Sequence, residues 1–132
     1  MEYKERITPE FITELAPKEI FVFGSNAQGM HMGGAARVAV EQFGAVWGQG
    51  EGLQGRSYAI PTMEGLGNLA PAVERFVAFA RQHPDLTFLV TPIGCGIAGY
   101  RPEQIAPMFA EAAPLPNVFL PMSFWKILTD NK

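Results

Sequence analysis

Four short, almost uninterrupted apolar runs punctuate the chain, at residues 20–23, 57–60, 87–90 and 118–120. Strands covered on both faces read as continuous apolar runs rather than as alternation, so each predicts a buried strand. Between them the apolar residues change period. Ala35, Ala36, Ala39, Val40 and Phe43 recur at helical spacing, as do Leu69, Val73, Phe76, Val77 and Ala80, and then Ile105, Met108, Phe109 and Ala112. Each set makes one apolar stripe on a helix. Strand and helix alternate along the chain, which predicts an α/β domain with a mostly parallel sheet. Thr8 as cap and Pro9 at the first helical position predict a helix start at residues 7–10. The residues before it are compatible with an additional edge strand.

Three of the four runs meet a proline, at Pro61, Pro92 and Pro121, and the first ends at Gly24. Proline lacks an N–H and stops a central strand. In a parallel sheet these ends share one edge, and open α/β sheets bind ligands in the crevice beyond that edge. The topology therefore gathers Ser25, Asn26, Thr62, Met63, residues 93–96 and residues 122–124 around one cleft. The glycine-dense stretch at residues 48–55 reads either as a flap over that cleft or as a solvated connection needing positive φ angles. There is no internal repeat and no low-complexity segment.

Two segments offer phosphate chemistry. Pro92-Ile93-Gly94-Cys95-Gly96-Ile97-Ala98-Gly99-Tyr100 joins the third run to a helical pattern beginning near Pro102. A glycine-rich turn there can direct several backbone N–H groups at one anion. The second segment is Gly24-Ser25-Asn26, followed by Gly29, His31, Gly33 and Gly34 ahead of the first long helix. Asn26 carries both donors and an acceptor, which suit a ribose hydroxyl or an amide. The bland alternative is a strand-to-helix turn with Asn in a left-handed conformation. The spacing is not the dinucleotide fingerprint, because Gly24 and Gly29 stand too far apart.

Candidate catalytic groups are sparse. Cys95 would need a depressed thiol pKa and a base; otherwise it is a small residue between two glycines. His31 is the only histidine near the cleft and is either an acid–base group or a residue at a helix start. Glu51 and Glu64 are the nearby carboxylates, without a spacing that pairs them as acid and base. His83, before Pro84, reads as structural at a helix end. Phe124 is read either as stacking on a base or ribose or as closing the core; Trp125 reads as core. Arg37, Arg56 and Arg101 carry forked donors suited to phosphate or to a solvated surface.

Composition narrows the classes. With 132 residues, 48% of them apolar and 17% charged, one globular domain is expected rather than a disordered chain. A net charge of −3 disfavours nucleic acid as a main partner. No run approaches a membrane span, and residues 1–6 lack the apolar core of a signal peptide, so a cytoplasmic protein without a membrane partner is expected. One cysteine excludes an internal disulfide and a multi-thiolate zinc site, and two histidines argue against a transition-metal centre. No cofactor is expected.

The two loops together resemble those of the macrodomain family. Asn26 followed by Gly33-Gly34-Ala35-Ala36 is similar to that family's first loop. Residues 92–100 are similar to its second, closest to the subclass with a Pro-x-Ile-Gly-Cys-Gly-type run that removes ADP-ribose from acidic side chains. The likeness covers roughly residues 20–125. It implies a three-layer α/β/α sandwich, spanning residues 1–132 as a single domain, that binds ADP-ribose at the carboxyl edge. By that likeness Asn26 faces the distal ribose and Gly33 and Gly34 lie near it, with Ser25 also among the ligand-binding residues. The backbone of Ile93, Gly94, Cys95, Gly96 and Ile97 wraps the pyrophosphate, and Phe124 lies near ribose or adenine.

The implied partner is an ADP-ribose-like nucleotide or an ADP-ribosylated protein. The subclass's lysine and aspartate positions hold Met63 and Ala98 here, and the aspartate of the other hydrolytic class is missing from Gly33-Gly34-Ala35-Ala36-Arg37. A binding module is therefore expected. The alternatives are a hydrolase of ADP-ribosyl groups or ADP-ribose derivatives, by a non-standard or substrate-assisted route, and a protein-interaction domain with an unused cleft.

Overall fold

The computed structural model describes residues 6–130. They form an α/β fold around a five-stranded mixed sheet. In chain order the elements are β1 (Glu19–Ser25), α1 (Gly34–Gln42), β2 (Gly52–Gln54), β3 (Ser57–Pro61), α2 (Leu66–Gln82), β4 (Thr87–Val90), α3 (Pro102–Ile105), a 3₁₀ segment (Ala106–Ala112), β5 (Val118–Phe119) and α4 (Met122–Asp130). The strand order is β2-β3-β1-β4-β5. β1 pairs in parallel with β3 and with β4, and β4 with β5, so all four apolar runs end on one edge. Only the edge strand β2 is antiparallel, against β3.

Side chains of the central strand alternate between two cores. Ile20 and Val22 join Val73, Phe76 and Val77 of α2, Phe109 of the 3₁₀ segment and Trp125 of α4. Phe21 and Phe23 join Ala36 and Ala39 of α1 with Phe43. Successive Cβ atoms of a strand point to opposite faces, so β1 carries helices on both sides. That explains why it reads as an unbroken apolar run. Phe23, Phe76, Phe88 and Phe109 are fully buried.

Several expectations need correction. No helix starts at Thr8. Ile7 bridges in parallel to Leu120, and the Thr8 N–H donates to the Leu120 carbonyl at 2.9 Å, so this stretch runs along the sheet beside β5. Residues 1–5, part of the edge-strand option, lie outside the described residues. The helix read through Ile105 and Ala112 is split: one α-turn gives way at Ala106 to 3₁₀ geometry. Pro107 has no N–H to continue the α pattern. Phe124 lies on α4, fully buried, with its ring centroid 5.6 Å from that of Phe109. It is a core residue.

Candidate functional site

β1 delivers Gly24, Ser25 and Asn26 to the carboxyl edge, where they line a cleft of about 360 Å³. β3 adds Thr62 and Met63, and β4 adds Thr91, Ile93, Gly94, Gly96, Ile97 and Ala98. α1 begins in the same cleft, with Gly33, Gly34, Ala35 and Ala36 along its wall. The two glycine loops thus face each other, and the positions of Met63 and Ala98 also open onto this space.

The first loop is built by Asn26. Its Oδ1 accepts the Met30 N–H at 2.9 Å and its Nδ2 donates to the Met30 carbonyl at 3.2 Å. The Asn26 carbonyl accepts the Gly29 N–H at 3.0 Å. Gly29 is fixed by steric need as well as by φ +72°: a Cβ there would lie 2.3 Å from the Gln49 nitrogen. The Gly48 N–H donates to the Gly29 carbonyl at 2.9 Å. Residues 48–55 therefore pack against this loop and end in β2, and none of them lines the cleft. Glu51 is drawn away too, held by Arg75 in a two-pronged ion pair at 2.6 and 2.9 Å. Glu64 accepts the Ala27 N–H through Oε2 at 2.8 Å; its Oε1 is buried without a partner.

The second loop turns at Gly94, φ +75°, and closes when the Tyr100 N–H donates to the Gly94 carbonyl at 2.8 Å. Gly99, also at positive φ, donates to the Gly96 carbonyl at 3.0 Å. The amides of Gly94, Gly96, Ile97 and Ala98 have no acceptor within the described residues. The opening amides of α1 have none by helix geometry, and its cap residue, Gly33, offers no side-chain oxygen. Residues whose amides have no acceptor among the described residues line the cleft from two sides, one of them the positive end of a helix, a setting that suits an anion.

Neither Glu51 nor Cys95 is brought into this cleft as an acid, base or nucleophile. Burial pushes the Cys95 thiol up and the nearby Glu103 charge adds to it, opposite to what a nucleophilic thiolate needs. Cys95 packs against the α2-side core and is not among the cleft-lining residues. Arg56 donates to the carbonyls of Leu15 and Ala16, and Arg37 pairs with Glu41 on the surface. Arg101 is exposed beyond the second loop. His83 donates through Nδ1 to the Phe79 carbonyl at 2.8 Å, a structural role.

Sequence reasoning missed two features. His31 is almost wholly buried behind the cleft and bonds Ser25 through Nδ1 at 2.7 Å. A second cavity of about 890 Å³ adjoins the cleft, sharing Gly34, Ala35 and Thr91 with it. It runs between Thr8, Phe11 and Ile12 on one side and Pro121, Met122 and Ser123 on the other. The proline that ends the fourth run had placed residues 122–124 at this edge; nothing in the spacing tied Thr8 to them.

No family model matches the chain, and neither a curated protein nor a solved structure matches it. Among the described residues no group of acidic, histidine or cysteine side chains could hold a metal ion, and no helix is long and apolar enough to cross a membrane.

Proposed function

We propose that this chain is a macrodomain-like module, an α/β/α sandwich that binds ADP-ribose or a related nucleotide through its two glycine loops. One observation carries the reading: residues whose amides have no acceptor among the described residues line a single cleft from two sides. In this reading the amides of residues 94–98 and of the α1 start hold the diphosphate. Asn26, whose side chain shapes the first loop, lies at the distal ribose with Gly33 and Gly34. The adjoining cavity gives the nucleoside end its room. Phe11, 86% exposed, offers a face for stacking at this cavity.

Binding rather than turnover is favoured because Glu51 is tied to Arg75 and the Cys95 thiol is shifted toward its protonated form. Titration calorimetry with ADP-ribose tests the reading. Saturable heat at micromolar to millimolar ligand is the expected result. Folded protein that gives no heat at millimolar ADP-ribose would end it.

A further inference from the structure

His31 is 2% exposed, and its hydrogen-bond and ring partners are all uncharged. The edge of Phe23 lies at a centroid distance of 5.2 Å and Trp47 at 6.3 Å. Nε2 faces two oxygens, the Val46 carbonyl at 2.8 Å and Gln54 Oε1 at 3.2 Å. The orientation of the Gln54 amide is fixed independently. Its Oε1 accepts the Val46 N–H at 2.8 Å, and its Nε2 donates to the carbonyls of Gln49 and Gly52 at 3.1 and 3.2 Å. His31 Nε2 therefore meets only acceptors and must carry a proton. In the neutral ring the other nitrogen, Nδ1, is then an acceptor. Its partner at 2.7 Å is Ser25 Oγ, so the serine hydroxyl must donate to it. A hydroxyl has one proton and two lone pairs. With its proton committed to His31, Ser25 has only acceptor capacity left.

Ser25 lines the cleft, beside Asn26 and opposite the second loop. We propose that the His31–Ser25 relay makes this point of the cleft accept hydrogen bonds and not donate them, so that Ser25 selects a ligand presenting a free hydroxyl over one presenting a phosphate oxygen. The cleft is then divided by polarity. Backbone amides of residues 94–98 and of α1 take the anionic part, and Ser25 takes the neutral sugar. This deepens the nucleotide reading above and rests on it. It assigns Ser25 a specificity role and His31 a positioning role. A phosphate oxygen placed against Ser25 meets lone pairs instead of a donor, and the unpaired contact in a buried setting is what costs affinity.

The test compares ADP-ribose with an ADP-ribose carrying a phosphate monoester on the distal ribose, by calorimetry on wild type and Ser25→Ala. Wild type is expected to prefer the free sugar by about tenfold or more, and Ser25→Ala to bring the two within about twofold. A ratio unchanged in Ser25→Ala overturns the proposal while leaving the nucleotide reading intact, because both ligands still bind. Wild type that binds neither ligand defeats the nucleotide reading and this inference with it. A second measurement needs no ligand and no variant: ¹⁵N NMR of the imidazole in wild type at neutral pH. The expected state is protonated at Nε2 alone. A proton at Nδ1, with or without one at Nε2, would reverse the relay and overturn the proposal.

Discussion

Asn26 and Gly94 carry the two loops, by different means. Asn26 closes a small ring with both polar atoms of the Met30 backbone, so its side chain substitutes for secondary structure at a place where the sheet has ended. Asn26→Ala is expected to lower stability by about 1 kcal/mol in urea denaturation and to weaken ADP-ribose at least tenfold in calorimetry. Gly94 holds a left-handed conformation, and a Cβ there would come 3.2 Å from Ile105 Cδ1. Gly94→Ala should cost about 1–2 kcal/mol of stability from backbone strain and displace the amides that follow it. An unchanged ligand affinity in that variant would contradict their role. Cys95 gives a chemical check. Because its thiol is shifted up by burial and by Glu103, less of it is thiolate at neutral pH. Alkylation by iodoacetamide should be slower than that of a free cysteine, and faster alkylation would show an activated thiol.

Among the elements, α4 decides what Phe124 is for. The helix presents Phe124 and Trp125 to the core beneath the 3₁₀ segment, where Phe124 meets Phe109. Phe124→Ala should lose about 3–5 kcal/mol of stability as a cavity opens in a packed interior. Whatever fraction folds should keep wild-type affinity; a specific affinity loss in stably folded protein would return Phe124 to the ligand. The strands were legible because β1, β3 and β4 are buried on both faces, and the runs around Val22, Ile60 and Leu89 state this directly. β2 was not: it has three residues on an edge, and its one apolar residue, Leu53, is exposed among glycines. α4 was hidden because the run at Val118 ends at Pro121, and only nine residues of helix follow. The cleft itself was legible through the prolines and glycines at the strand ends. The His31–Ser25 contact was not, since it depends on how the Asn26 ring folds the intervening residues back on β1.

Taken whole, the molecule presents a cleft at the carboxyl edge of its sheet and an adjoining cavity that continues beside α1. The cleft and the adjoining cavity meet at Gly34, Ala35 and Thr91, which gives the proposed nucleotide a continuous space. Phe11 stands at the cavity with little packing to lose. Phe11→Ala should therefore leave thermal stability nearly unchanged and weaken ADP-ribose by about tenfold, as measured side by side. Away from the cleft, Tyr58 links stability to pH. Burial, with a smaller push from the Glu51 charge and an opposing one from Arg75, raises its phenol from 10.0 to about 12. The unfolded chain then loses this proton first as pH rises. The stability contributed is complete below pH about 10 and is lost between there and pH about 12. Urea midpoints should fall across that window in wild type, and Tyr58→Phe should remove this part of the fall.

Amide shifts followed by ¹⁵N NMR during titration with ADP-ribose examine the convergence of the two loops itself. The largest changes are expected at residues 33–36 and 94–98 together, saturating at one ligand concentration. Changes confined to one of these stretches, or lying elsewhere on the fold, would contradict it.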